Sequence, residues 1–121
     1  MKLIALYLFL IICLFVSWTW SVDISATTIT ESTTATSSYE AWWINVGSTS
    51  VTLTLPSTSG IDGRRYIIKR VDTGGSGDCF VSTTSGDNIE TEQSVQLTFL
   101  QGFVLVARSA SNTWQIVGNI N

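Results

Sequence analysis

The chain contains no histidine, a single proline (Pro56) and, beyond its apolar start, a single cysteine (Cys79). Each shortage excludes something. Without histidine there is no Ser-His-Asp or Cys-His nucleophilic site, and none of the common zinc ligand sets. With Cys13 in the apolar start, Cys79 has no second cysteine to pair with in the remainder of the chain, so its expected state is a buried thiol behaving as a small hydrophobe. Cations are scarce too. After Ser21 there are five (Arg64, Arg65, Lys69, Arg70, Arg108) against nine carboxylates, a net charge of 5 − 9 = −4. Nucleic-acid binding by counterion displacement calls for the opposite balance. No Asn-x-Ser/Thr acceptor occurs, and the glycine run GGSGD lacks the lysine of a phosphate loop.

What is present falls into three parts. Lys2 is followed by fourteen apolar residues, Leu3 to Val16, and a polar exit, SWTWSVD. That is the pattern of a secretory signal peptide over residues 1–21, with Thr19 and Ser21 at the small-residue positions before a cut. The alternative is an uncleaved hydrophobic helix acting as a membrane anchor, since the run approaches the roughly 20 residues a bilayer needs. Both place the rest of the chain across a membrane, secreted or anchored. Residues 22–38 are rich in Thr and Ser, either an O-glycosylatable stalk or a lead-in strand.

Residues 39–121 carry a repeating strand-and-turn pattern. Val51, Leu53 and Leu55 alternate with Thr52 and Thr54, the signature of a half-buried strand that Pro56 ends. Comparable strands are expected over 39–46, 64–72, 79–83, 94–99, 103–109 and 113–118, separated by Gly-Ser, GGSG, SGDN and SASN turns. The last of the 94–99 strand, Phe99, is expected to be buried with Val95 and Leu97. Thirty Ser and Thr after Ser21 and few Lys, Glu or Ala suit pleated surfaces rather than helices. The fold expected is all-β: a small antiparallel sandwich, prism or barrel.

Two strands, YEAWWINV and FVLVARS, are apolar on both faces. A domain of about 100 residues buries little more than 60% of its unfolded surface. The excess predicts contact with other copies of the chain, with Trp42, Trp43, Phe103 and Leu105 as the expected interface.

The cations cluster on one strand, GRRYIIKRVD. Arg64, Arg65, Lys69 and Arg70 flank an apolar centre. Such charges protect strand ends against edge-to-edge aggregation. They also suit an anionic glycan, the guanidinium forks binding carboxylate or sulfate while Tyr66 stacks on a sugar face. The carboxylates Asp87, Glu90 and Glu92 crowd one turn. A glycosidase pair or a calcium site is conceivable there, but turn chemistry accounts for all three. No catalytic residue, metal site or cofactor is expected.

The order of these pieces resembles a β domain of bacteriophage tail and head fibres. The resemblance rests on SVTLTLP, GRRYIIKRVD, SGDNIE, SVQLT and GFVLVARSASNTWQIVG, and spans about residues 27–118. It implies an intertwined homotrimer, non-enzymatic, that reaches or binds a host surface. The apolar leader and the Asp78-Cys79 pair depart from the phage pattern. A large virus of a eukaryote, or a secreted protein carrying the module, fits the leader better. The expectation is a secreted or virion-surface fibre protein used in attachment. A monomeric secreted carbohydrate-binding module and a structural cement or filament subunit are the alternatives.

Overall fold

The structure, a computed structural model, describes residues 24–121. The expected leader, its hydrophobic helix included, lies outside the described residues. Among those described there is no α-helix, and none long and apolar enough to cross a membrane. Ten strands run β1 (Ala26–Ile29), β2 (Thr33–Thr34), β3 (Ala41–Ile44), β4 (Val51–Thr54), β5 (Arg65–Arg70), β6 (Cys79–Ser82), β7 (Asn88–Ile89), β8 (Ser94–Leu97), β9 (Gly102–Arg108) and β10 (Thr113–Ile120). The Thr-rich segment therefore supplies lead-in strands. Between β9 and β10 the SASN turn is a single 3₁₀ turn, closed by Asn112 at φ 50°.

The strands make a six-stranded sheet in the order β1-β3-β5-β9-β10-β7 and a four-stranded sheet in the order β2-β4-β6-β8. Through β6 the chain switches sheet at every strand. Its neighbours within a sheet are then two strands apart in sequence and parallel: β1 with β3, β3 with β5, β2 with β4, β4 with β6. The result is a short two-sheeted roll, completed by the antiparallel additions β8 on β6, β9 on β5 and β10 on β9. The expected antiparallel sandwich is thus corrected to a pair of mixed sheets. The reason is physical. Alternation of apolar and polar residues reports which face is buried and is identical for both strand directions. Direction is set by the turns, which here cross between sheets instead of folding back within one.

The core lies between the sheets. Trp42, Ile44, Tyr66, Ile68, Phe103, Leu105 and Trp114 come from the larger sheet and Val51, Leu53, Val81 and Leu97 from the smaller. Cys79 joins them, buried and unpaired as expected. Phe99 does not: it lies just beyond β8 and is half exposed. The Arg70 guanidinium sits 4.4 Å from the centre of its ring.

Burial pushes the Cys79 thiol up to about 11. Only the thiolate is reactive, so the folded chain keeps this cysteine inert. An aromatic disulfide reagent at pH 8 is expected to label it only in denaturant, the rate tracking unfolding. Rapid labelling in buffer would contradict this burial.

Candidate functional site

The cation strand β5 sorts its residues by parity. Tyr66, Ile68 and Arg70 point into the sandwich, whereas Arg65, Ile67 and Lys69 point outward. Two members of the expected glycan patch are therefore corrected. Tyr66 is buried with its ring 5.3 Å from that of Trp114, and its hydroxyl donates to the Thr36 carbonyl at 3.1 Å. It cannot stack on a sugar. Arg70 is buried and forms a two-pronged pair with Asp72, Nε to Oδ1 at 3.0 Å and Nη2 to Oδ2 at 3.1 Å. Its remaining donors reach the carbonyls of Leu97, Gly75 and Gly77. Asp72 in turn accepts from the backbone N–H of Val46 and Gly75. A Cβ on Gly75 would collide with the Val46 carbonyl, so the loop closes this tightly only around glycine. The pair is a structural clasp joining three loops.

The other three cations stay at the surface. Arg64 ties the lead-in loop down, donating from Nη2 to the carbonyls of Ser37 at 2.7 Å and Tyr39 at 3.3 Å. Its guanidinium lies 5.2 Å above the Tyr66 ring. Arg65 is paired with Glu40. Arg64, Arg65 and Glu40 line one depression of about 350 Å³ with Ser25 and Ser37. A carboxylate already neutralises one of the two guanidinium groups there, which weakens the depression as an anion site.

Lys69 stands elsewhere. Its cross-strand partner is Trp43, and with Thr28, Val71 and Leu100 the two line a shallow, mainly apolar depression of about 440 Å³. The structure thus joins one residue expected to bind glycan with one expected at an interface. The other interface expectations are corrected. Trp42, Phe103 and Leu105 are 3%, 3% and 0% exposed inside the chain's own core, so none of them is available to a partner.

The surface that remains is the outer face of the larger sheet. Trp43, Ile67, Val104 and Val106 are all half-buried there, on neighbouring strands, with Ile67 and Val104 directly paired. Val117, at the bulge in β10, is 59% exposed beside them. The smaller sheet presents a contrasting outer face. One row across all four of its strands reads Thr34, Thr54, Ser82, Ser94. Sequence reasoning had the signal for the apolar face, since FVLVARS is apolar on both sides. It lacked the assignment of one side to the core.

The three carboxylates of the SGDNIETE segment each have separate surroundings. Asp87 is buried, accepting from the Thr58 N–H at 2.8 Å. Glu90, at φ 53°, accepts from the Ile116 N–H at 2.7 Å. Glu92 is exposed. Asp87 and Glu90 are spent holding turns, and among the described residues no group of three His, Cys, Asp or Glu gathers to hold a metal. Comparison with protein-family models and with curated protein sequences finds no match to the chain.

Proposed function

We propose that this chain is a non-enzymatic fibre-type subunit, exported to a virion surface or secreted, that associates with copies of itself as a trimer and contributes to attachment at a host surface. The observation that carries the reading is the apolar outer face of the larger sheet: Trp43, Ile67, Val104 and Val106 side by side on a chain that already closes its own core. A half-buried apolar face of this kind, left outside a closed core and continued by the exposed Val117, is surface a partner can cover. Association is then lateral, sheet face against sheet face, in place of intertwined strands. Lys69, opposite Trp43 on that face, is the one cation of β5 without a carboxylate partner among the described residues and is the cation left for an anionic surface glycan.

Light scattering on residues 22–121 tests it. A mass that settles near three chains in the dilute limit supports the trimer. Val104→Asp places a charge on the face without entering the core and is expected to change the dilute-limit species from three chains to one, weakening lateral association by tenfold or more, about 1.4 kcal/mol. A wild-type monomer would sink the reading. One observation favours the runner-up, a monomeric sugar-binding module: Trp43 and Lys69 share a depression, the pairing of aromatic face and cation that an acidic sugar needs. That reading predicts quenching of Trp43 fluorescence by sialylated or sulfated glycan at monomer mass.

A further inference from the structure

The two sheets end openly at both extremities of the roll. At the N-terminal end β1 pairs only with β3 and β2 only with β4 among the described residues. Between them lies a cavity of about 430 Å³ whose walls include Thr27, Ile29, Tyr39 and Trp42. At the opposite end β8 pairs only with β6, and β7 covers β10 only at Thr113 and Trp114. The stretch of β10 from Ile116 to Ile120 has β9 as its one strand partner. The smaller sheet is a strand short there, leaving a groove of about 360 Å³ lined by Gln96, Leu97, Gln101, Phe103, Ile116 and Asn119. Among the described residues neither end carries a lysine, proline or covering helix; the edges are blunted only by the shortness of β2 and β7 and by the bulge at Val117.

We infer that these ends are complementary, and that the N-terminal end of one copy docks on the β8–β10 end of the next, head to tail. The registers support it row by row. Across the larger sheet one row reads Thr27, Trp42, Ile68, Phe103, Asn119, and the next reads Thr28, Trp43, Lys69, Gly102, Ile120. A copy added in the same plane brings its β1 alongside the free stretch of β10, parallel to it as β1 already is to β3. Thr27 then meets Asn119, hydroxyl against amide, on the inward side. In the smaller sheet, one strand shorter, β2 of the added copy stands antiparallel to β8 across the groove, one strand spacing beyond pairing distance, with Thr33 and Thr34 level with Val95 and Ser94. The turn between β1 and β2 carries Glu31, exposed and without a hydrogen bond or ion pair among the described residues. Docking brings its carboxylate to the level of the Gln101 amide, the Gln96 amide being already engaged with Asp78 at 3.1 Å.

Because the contact joins unlike ends, it does not close on itself as a two-fold dimer does; it propagates as a filament unless its rotation closes a ring. This goes beyond the lateral association proposed above: Trp43 and Lys69 serve only to mark the register, and the contact itself is made by β1, β2, β8 and β10. Five strand positions, β1, β3, β5, β9 and β10, at 4.7–4.9 Å each give an axial repeat of roughly 24 Å.

The test is sedimentation of residues 22–121, a unit that closes its own core, over about two decades of concentration, with electron microscopy of the same samples. The expected result is mass that climbs with concentration without a plateau, and thin filaments with that repeat. Glu31→Lys removes the carboxylate from the docking turn. Gln101→Glu keeps the oxygen that accepts from the Thr98 N–H and sets a like charge against Glu31. Each is expected to raise the concentration for assembly at least about tenfold, and the double variant to restore it through the opposite pair. A mass that plateaus at one or three chains overturns the inference, as does a double variant no better than either single one. Val104→Asp, which targets the lateral face, is expected to leave the filaments intact.

Discussion

Asp72→Asn is expected to cost the fold about 3–5 kcal/mol, the loss that follows when one partner of a buried ion pair is removed. The Asp72 and Arg70 side chains are 7% and 5% exposed, so neither charge has solvent to fall back on. Asp72 accepts four hydrogen bonds, two from Arg70 and one each from the N–H of Val46 and Gly75. An asparagine amide brings donors of its own to one of those positions, where it can accept nothing. A single uncompensated guanidinium stays behind in the core. Since whole domains are stable by only about 5–15 kcal/mol, urea denaturation of the variant should show an early midpoint or no folded baseline.

The same pair sets an acid limit. The Arg70 hydrogen bonds, aided by those from Val46 and Gly75, hold the Asp72 carboxyl down to about 2. A depressed carboxylate stabilises the fold fully above its unfolded value, and the contribution disappears as pH falls through the folded one. The window therefore lies between about pH 4 and pH 2. Wild type should lose stability steeply across it, and Asp72→Asn should lose distinctly less. Parallel slopes for the two would show that other carboxylates govern acid unfolding.

How far the sequence discloses this structure depends on what each signal reports. Period-two alternation located β3, β4, β5, β6, β8, β9 and β10, because each buries one face against the opposite sheet. It passed over β7, two residues long, and left β1 and β2 undecided, since threonine-rich strands at an open edge bury too little to show a pattern. Parity was available for the cations: Arg70 shares its face with Tyr66 and Ile68, which points it inward. What parity cannot supply is the partner. Asp72 lies two residues on, and only the turn after β5 brings it back across the guanidinium. The tandem Trp42-Trp43 shows the limit most sharply. The alternation assigns them to opposite faces without saying which face meets the core, and that depends on a second sheet assembled from strands elsewhere in the chain.

Replacing these tryptophans separates core from surface. Trp114→Ala should cost about 3–5 kcal/mol, the range for truncating a buried aromatic to alanine. Trp114 is fully buried, packs against Tyr66 and donates its indole N–H to the Pro56 carbonyl at 3.3 Å. It also pairs with Ala107 on one side and Ile89 on the other, so its loss opens a cavity where β9, β10 and β7 meet. No neighbour is free to refill it: Tyr66 is tied to Thr36, and Ile89 is fixed by the turn that Glu90 holds. Trp43→Ala removes a side chain of the same size from the outer face, where no cavity can form. Its effect on the stability of the isolated chain should be no more than about 1 kcal/mol, while its effect on lateral association should be large. The two substitutions are thus expected to act on different measurements, Trp114→Ala on the denaturation midpoint and Trp43→Ala on the mass in solution. If Trp43→Ala left association untouched while abolishing glycan binding measured by calorimetry, the outer face would be a ligand platform and the attachment role would belong to the single chain.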